Sequence, residues 1–426
     1  MKRTFTRSLA LSLVIGALGL PAGAQTQAKT NLVVWFPSSG NLDSAARFKF
    51  NSEFEARHPT VKVVETPQPN DNWDELFKAA NLARNGPDVV MLWPGTPTTD
   101  YASYLLPLDK YLDKPYLDSL SGWELAKVGF KSSGATMGIP SSGYVYCFWY
   151  NKAIMAKIGF DGSNPPKSYD EFLALCGMLK AKGITPVVTG TKDGYIAQWG
   201  VGCLAASLMG PGGGGLVSDL SYKFAGSPVQ KATELWQELA KRGYLNKNAT
   251  SLSTGDEMDR EFVNGGGAML LSGNWEYKAL GEAMKDNLGF FLFPSVDPKG
   301  EFHDYNYAGP TVNSCVTSYS KNKDLAVAYV KEFAVDKARI IGAAEETGDL
   351  PLLKGINSSQ ITNPLIRSFA DVLAQGRTAV ILDLIPLNAY NEFVRMGSPI
   401  TMGKMSPKAA MDLIQSEVDK LKLKKK

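Results

Sequence analysis

The run Gly138-Ile139-Pro140-Ser141-Ser142-Gly143-Tyr144-Val145-Tyr146-Cys147-Phe148-Trp149-Tyr150-Asn151-Lys152 constrains this chain more than any other stretch. Turn-forming residues lead straight into an unbroken series of aromatic, β-branched and small apolar ones. That composition predicts a buried strand entered from a flexible loop. On its own the run also suits an ordinary central strand with no ligand nearby. Its neighbours in the sequence decide between the two.

Upstream, Asn31 to Phe36 is a short apolar run ended by Pro37-Ser38-Ser39-Gly40, a buried strand and then a loop. Ala45, Phe48, Phe50 and Phe54 follow near helical spacing and stop before Pro59. Val61 to Val64 predicts a strand. Asp71 or Asn72 then caps a helix that runs through Asn85 and breaks at Gly86-Pro87. Asp88 to Trp93 reads as another buried strand, closed by Pro94-Gly95. Strands alternating with helices predict a mostly parallel sheet covered on both faces. Ligands in such sheets bind beyond the carboxyl ends of the strands. Here those ends are Phe36 to Gly40, with Ser38 and Ser39, and Trp93 to Thr96.

The rhythm resumes beyond the central run. Ser168 and Glu171 make a capping box for a helix over Tyr169 to Lys182. Ile184 to Val188 predicts a strand leading into the polar loop Thr189 to Gly194. Pro228 to Arg242 is helical, with Leu235, Trp236 and Leu239 on one face, and Trp236 belongs to the core. Asp256 to Val263 is a short helix. Ala268 to Leu271 is a strand that delivers Gly273-Asn274-Trp275-Glu276. Gly212 to Gly215 reads as a loop; it lacks the following Lys-Ser/Thr of a phosphate-binding P-loop.

The N-terminus reads as an export signal over residues 1–24. Lys2, Arg3 and Arg7 form its positive end, Leu9 to Leu20 its apolar core, and Ala22-Gly23-Ala24 its cleavage site. The first cysteine is Cys147, so no lipid anchor is expected at the cleavage site. Removing the signal takes the formal charge from +3 to about zero. Lys420, Lys422, Lys424, Lys425 and Lys426 crowd the tail as a solvated helix end. The body is mildly acidic, which argues against nucleic acid. A mature chain of about 400 residues exceeds one core, so two domains are expected. The four cysteines, Cys147, Cys176, Cys203 and Cys315, are too few and too scattered for a disulfide scaffold or a zinc site.

Several segments, in order along the chain, resemble the family 1 extracellular solute-binding proteins of bacterial ABC importers, the group of maltose-type sugar binders. They are Phe54-Glu55-Ala56-Arg57-His58-Pro59, Gly86-Pro87-Asp88-Val89-Val90, the G-I-P-x-S-x…Y-N-K run at 138–152, and Pro165 to Phe172. Gly183-Ile184-Thr185-Pro186, Phe262 to Met269 with Gly273-Asn274-Trp275, and Glu345 to Pro351 complete the set. The resemblance implies an α/β fold, the two-lobed type II periplasmic-binding-protein clamshell, each lobe a mostly parallel sheet flanked by helices and joined by a multi-crossing hinge. It places 30–143 plus 309–345 in the N-terminal lobe and 149–304 plus 355–426 in the C-terminal lobe. The hinge falls at about 144–148, 305–311 and 345–355. It also makes Cys147 and Cys315 neighbours. A bridge there, a bridge between Cys176 and Cys203, and free thiols all stay open.

Closure of such lobes buries a ligand, and the closed form is what the membrane permease subunits would recognise. A sugar needs aromatic plates for its C–H faces and fixed polar groups for its hydroxyls. Trp93, Tyr144, Asp193, Tyr195, Trp199, Asn274, Trp275, Tyr307, Asn313 and Glu346 supply those groups, with Trp275 foremost. For Trp93 and Tyr144 core packing is the competing reading, and Trp35 is assigned to the core. Many sugar binders carry an acid just after the first-lobe strand, where this chain has Trp93-Pro94-Gly95-Thr96. Hydroxyl recognition must then come from Asp193, Glu346 or backbone groups.

The expected function is capture of a carbohydrate and its delivery to the permease by a periplasmic monomer, with no cofactor and no catalysis. The alternatives are ferric iron or a phosphate ester in the same clamshell, or a secreted glycoside hydrolase. His58 and His303 lie in no nucleophile or zinc motif, and Glu345-Glu346 are adjacent, a poor arrangement for a glycosidase.

Overall fold

The structure is a computed structural model that describes residues 29–38, 44–69, 72–130 and 134–424. The export signal, Ser39, Gly40, Asp71 and the last two lysines lie outside the described residues. Nine strands form one curled system: β1 (Thr30–Ser38), β2 (Val61–Pro69), β3 (Val89–Leu92), β4 (Gly138–Asn151), β5 (Val187–Val188), β6 (Met269–Gly273), β7 (Leu288–Leu292), β8 (Asn306–Val316) and β9 (Thr378–Ala379). Their order is β2-β1-β3-β8-β4-β6-β5, with β7 on β4 and β9 on β8. β1 pairs in parallel with both β2 and β3, and β5 with β6.

β4 is the pivot of the molecule. Gly138 to Val145 pairs with β8, through a register shift around Ser142. Tyr146 to Tyr150 pairs instead with β6, and Cys147 to Asn151 with β7. One strand therefore belongs to two sheets, and its partner changes between Val145 and Tyr146. Every residue from Gly138 to Asn151 is buried, as expected for a strand covered on both faces.

Each side has its own core. In the first, Phe50 and Phe54 lie one helical turn apart on the Ala45–Arg57 helix and pack edge-on to Tyr329. Trp73, Phe77, Val90 and Leu92 fill the opposite face of that sheet, with Trp35 packed partly buried against them. In the second, the Pro228–Lys241 helix buries Val229, Ala232, Trp236 and Leu239, and the Trp236 indole N–H donates to Thr401 at 3.0 Å. The Ser168–Glu171 capping box forms as the sequence implies. Among the described residues, no helix is long and apolar enough to cross a membrane.

Two expectations are corrected. Gly213–Ser218 is a short helix rather than a loop; buried contact of Gly213 and Gly214 with Ile381, Val380 and Leu384 holds it. Cys147 and Cys315 are not neighbours. Cys315 sits opposite Gly138, whereas Cys147 sits opposite Ser272 and Leu292 further along β4. All four cysteines are free and buried.

Candidate ligand-binding site

The site grows out of the strand switch. Tyr144 and Tyr146 are two apart on β4, and side chains at that spacing share a face. Tyr307 enters from β8. The Tyr146 and Tyr307 rings stack 4.9 Å apart at 10°, and Tyr144 meets both edge-on at 5.3 and 6.0 Å. Trp275 follows the end of β6 and stands perpendicular to Tyr146 at 5.1 Å. Trp199, from the Tyr195–Met209 helix, closes the group 5.7 Å from Tyr146 and 5.6 Å from Trp275. The three tyrosines are buried, while Trp199 and Trp275 remain half-buried.

Two glycines make this crowding possible. A Cβ on Gly273 would lie 2.0 Å from the Trp275 ring, and one on Gly202 would lie 2.4 Å from Tyr307. Any side chain at either position would displace an aromatic of the site.

Asp383 is the polar centre. Its Oδ2 accepts from the Tyr307 hydroxyl at 2.7 Å and from Tyr144 at 3.4 Å. Its Oδ1 accepts from the Gln198 amide at 3.0 Å, and that amide also donates to the Tyr307 oxygen at 2.6 Å. Burial raises the Asp383 carboxyl above its usual range, against hydrogen bonds from Tyr307 and Tyr144 that hold it down. Burial, then the charge of Asp383, pushes the Tyr144 and Tyr307 hydroxyls well up, so both stay neutral donors. Tyr390 is raised the same way, by burial, then Asp383 and Asp74.

The segment just beyond β3 reaches this centre. The Thr96 hydroxyl donates to the Ile385 carbonyl at 2.7 Å, and a Cβ on Gly95 would lie 2.6 Å from the Asp383 carbonyl oxygen. Trp93, half-buried, packs edge-on to Trp73 at 5.9 Å in the first lobe. The carboxyl end of β3 thus faces the Asp383 segment. An open depression of about 540 Å3 bordered by Tyr319 to Leu325 lies at the other end of that sheet, where Asn322 meets Asn31 and Asp88.

Of the sequence-assigned residues, Tyr144, Trp199, Trp275 and Tyr307 come together in one cluster. Others serve the frame. The Asn274 side chain accepts from the Val145 N–H at 2.7 Å and donates to the Gly143 and Gly348 carbonyls at 3.2 and 2.8 Å. Asp193 binds Thr254 through its N–H and hydroxyl at 2.8 and 2.7 Å. Glu346 accepts from the Ser44 hydroxyl at 2.9 Å and from the Ala46 N–H, at the start of the first helix. Asn313, fully buried, donates to the Thr98 hydroxyl at 3.2 Å, and its Oδ1 has no partner among the described residues. Tyr195 is exposed and acts on Tyr390. Ser38 ends β1, and Ser39 lies outside the described residues.

Sequence reasoning passed over Tyr146, Gln198, Asp383 and Tyr390. Tyr146 carried a signal, its period-two spacing from Tyr144. Asp383 carried another, a lone charge within Val380-Ile381-Leu382-Asp383-Leu384-Ile385. Gln198 and Tyr390 carried none.

The fold is an α/β clamshell of type II whose two sheets share a crossing strand at an aromatic and acidic cluster. The chain belongs to the bacterial extracellular solute-binding proteins, whose family model matches residues 49–366. It is 23% identical over 360 residues to the sn-glycerol-3-phosphate-binding periplasmic protein UgpB of Escherichia coli K12, covering 79% of this chain and 78% of the relative. A chitin oligosaccharide binding protein shares the fold with a TM-score of 0.78 at 23% identity, over 92% of this chain and 98% of the other. The GacH receptor of Streptomyces glaucescens, solved unliganded and with acarbose, aligns with a TM-score of 0.73 at 22% identity, over 92% and 98%.

Proposed function

We propose that this protein is the extracytoplasmic binding component of an ABC importer, capturing a mono- or oligosaccharide between its lobes and passing it to the membrane permease. The cluster of Tyr144, Tyr146, Trp199, Trp275 and Tyr307 around Asp383 carries that reading. Flat rings suit the C–H faces of a pyranose, and a carboxylate suits its hydroxyls. The structural neighbours named for chitin oligosaccharide and acarbose complexes point the same way.

The lobes are assigned to 30–143 plus 309–345 and 149–304 plus 355–426. The partner change within β4 supports a hinge at about 144–148. Asn274 supports it too, tying that crossing to the third one through Gly348. The protein works after export, as a monomer, and returns its ligand unchanged. Phosphate-ester binding is the competing reading, favoured by the glycerol-phosphate relative.

A thermal-shift screen of residues 25–426 against sugars, amino acids, polyamines, phosphate esters and Fe3+ tests it. A ligand at 100 times its dissociation constant adds about 2.7 kcal/mol of stability. A rise with one sugar class and no product supports the proposal. Silence with every sugar and a rise with a phosphate ester or iron contradicts it.

A further inference from the structure

Asp383 is a carboxylate inside an aromatic cluster whose partners are all uncharged. Three neutral groups, Tyr307, Tyr144 and Gln198, donate to it, and no lysine or arginine among the described residues is hydrogen-bonded to it. The second carboxylate of the neighbourhood is Asp74, which accepts from Tyr101 at 2.8 Å and acts with Asp383 on Tyr390. The aromatic rings gathered around Asp383 carry π systems whose faces attract cations and repel anions. A half-buried carboxylate without a counter-ion adds to that field, because desolvation strengthens unscreened charge.

From this arrangement, and resting on the sugar reading above, we propose that Asp383 sets the charge selectivity of the cleft. The site takes neutral sugars, favours those bearing a protonated amine, and rejects phosphate esters. A sugar hydroxyl or ammonium offers Asp383 a donor in place of Gln198 or Tyr144. A phosphate ester adds, beside its hydroxyls, a dianion that brings acceptors and like charge, and among the described residues no lysine or arginine bonded to Asp383 compensates it.

The test is calorimetric titration of the mature protein and Asp383→Asn with N,N′-diacetylchitobiose, the glucosamine disaccharide, glucose 6-phosphate and sn-glycerol 3-phosphate. Wild-type protein is expected to bind both phosphates at least about a hundredfold more weakly than the neutral disaccharide. The amine should hold an advantage of about tenfold that D383N removes. If D383N fails to fold, the ranking in wild type, and the shrinking of the amine's advantage with added salt, read the same property. Equal wild-type affinity for a phosphate and the neutral disaccharide overturns the proposal, as does a folded D383N with an unchanged ranking. Should neither disaccharide bind while spermidine does and D383N abolishes it, the sugar reading falls and the charge selectivity stands. Silence with all ligands contradicts both.

Discussion

Tyr146 on β4 and Tyr307 on β8 stack with ring centroids 4.9 Å apart and planes 10° from parallel. β4 is the strand shared by the two sheets and β8 is its partner up to Val145, so the stacked rings lie where the pairing of β4 changes. Asp383 holds Tyr307, while Gly95 and Thr96, just beyond β3, lie against the backbone of Asp383 and Ile385. A ligand that shifts any of these rings therefore acts on the elements that set the lobe angle.

Asn274 uses its carbonyl and both amide hydrogens on backbone groups of Val145, Gly143 and Gly348. Truncation strands buried groups that each cost about 1–3 kcal/mol when left unpaired. Asn274→Ala is expected to lower unfolding free energy by about 3 kcal/mol in urea titration. A loss under about 0.5 kcal/mol would show that these bonds hold nothing.

Asp259, buried, and Glu276, half-buried, lie side by side next to Trp275. Burial, then the charge of Glu276, pushes the Asp259 carboxyl far up, and burial raises Glu276 as well. Above the ordinary carboxylate range the folded state then holds protons that the unfolded chain has released. Stability falls as pH rises from about 4 toward the raised folded values. Asp259→Asn should flatten that fall, raising the melting temperature at pH 8 more than at pH 5. The opposite ordering would mean that the pair is ionised and compensated.

All four thiols are buried and unpaired, and burial raises Cys147, Cys176, Cys203 and Cys315 alike. A thiol reagent should find almost none in the native protein and all four in denaturant without reductant. A denatured count lower by two would reveal a bridge.

Much of this architecture was legible because local signals agreed with the fold. Ser168 and Glu171 cap their helix, Phe50 and Phe54 keep helical spacing, and the apolar run at 144–150 is a strand buried throughout. In the candidate cluster, Tyr144 within the apolar run and Trp275 just beyond β6 were legible as aromatics tied to strands. Asp193 and Asn274 looked equally suited to a ligand. Their partners, Thr254 and the hinge backbone, are remote in sequence or belong to the main chain, which residue type does not reveal. Asp383 escaped for the converse reason. Its place beside Tyr307 depends on a parallel pairing of β8 with β9 that two residues of strand sustain.

The most direct measurement is calorimetric titration of the best sugar from the screen into the mature protein and into Trp275→Ala, with circular dichroism to confirm folding. Trp275 is half-buried beside Tyr146 and Trp199, so losing its face should weaken binding by about 1–3 kcal/mol without unfolding the chain. Equal affinity in the two proteins would remove Trp275, and the aromatic cluster with it, from the binding site.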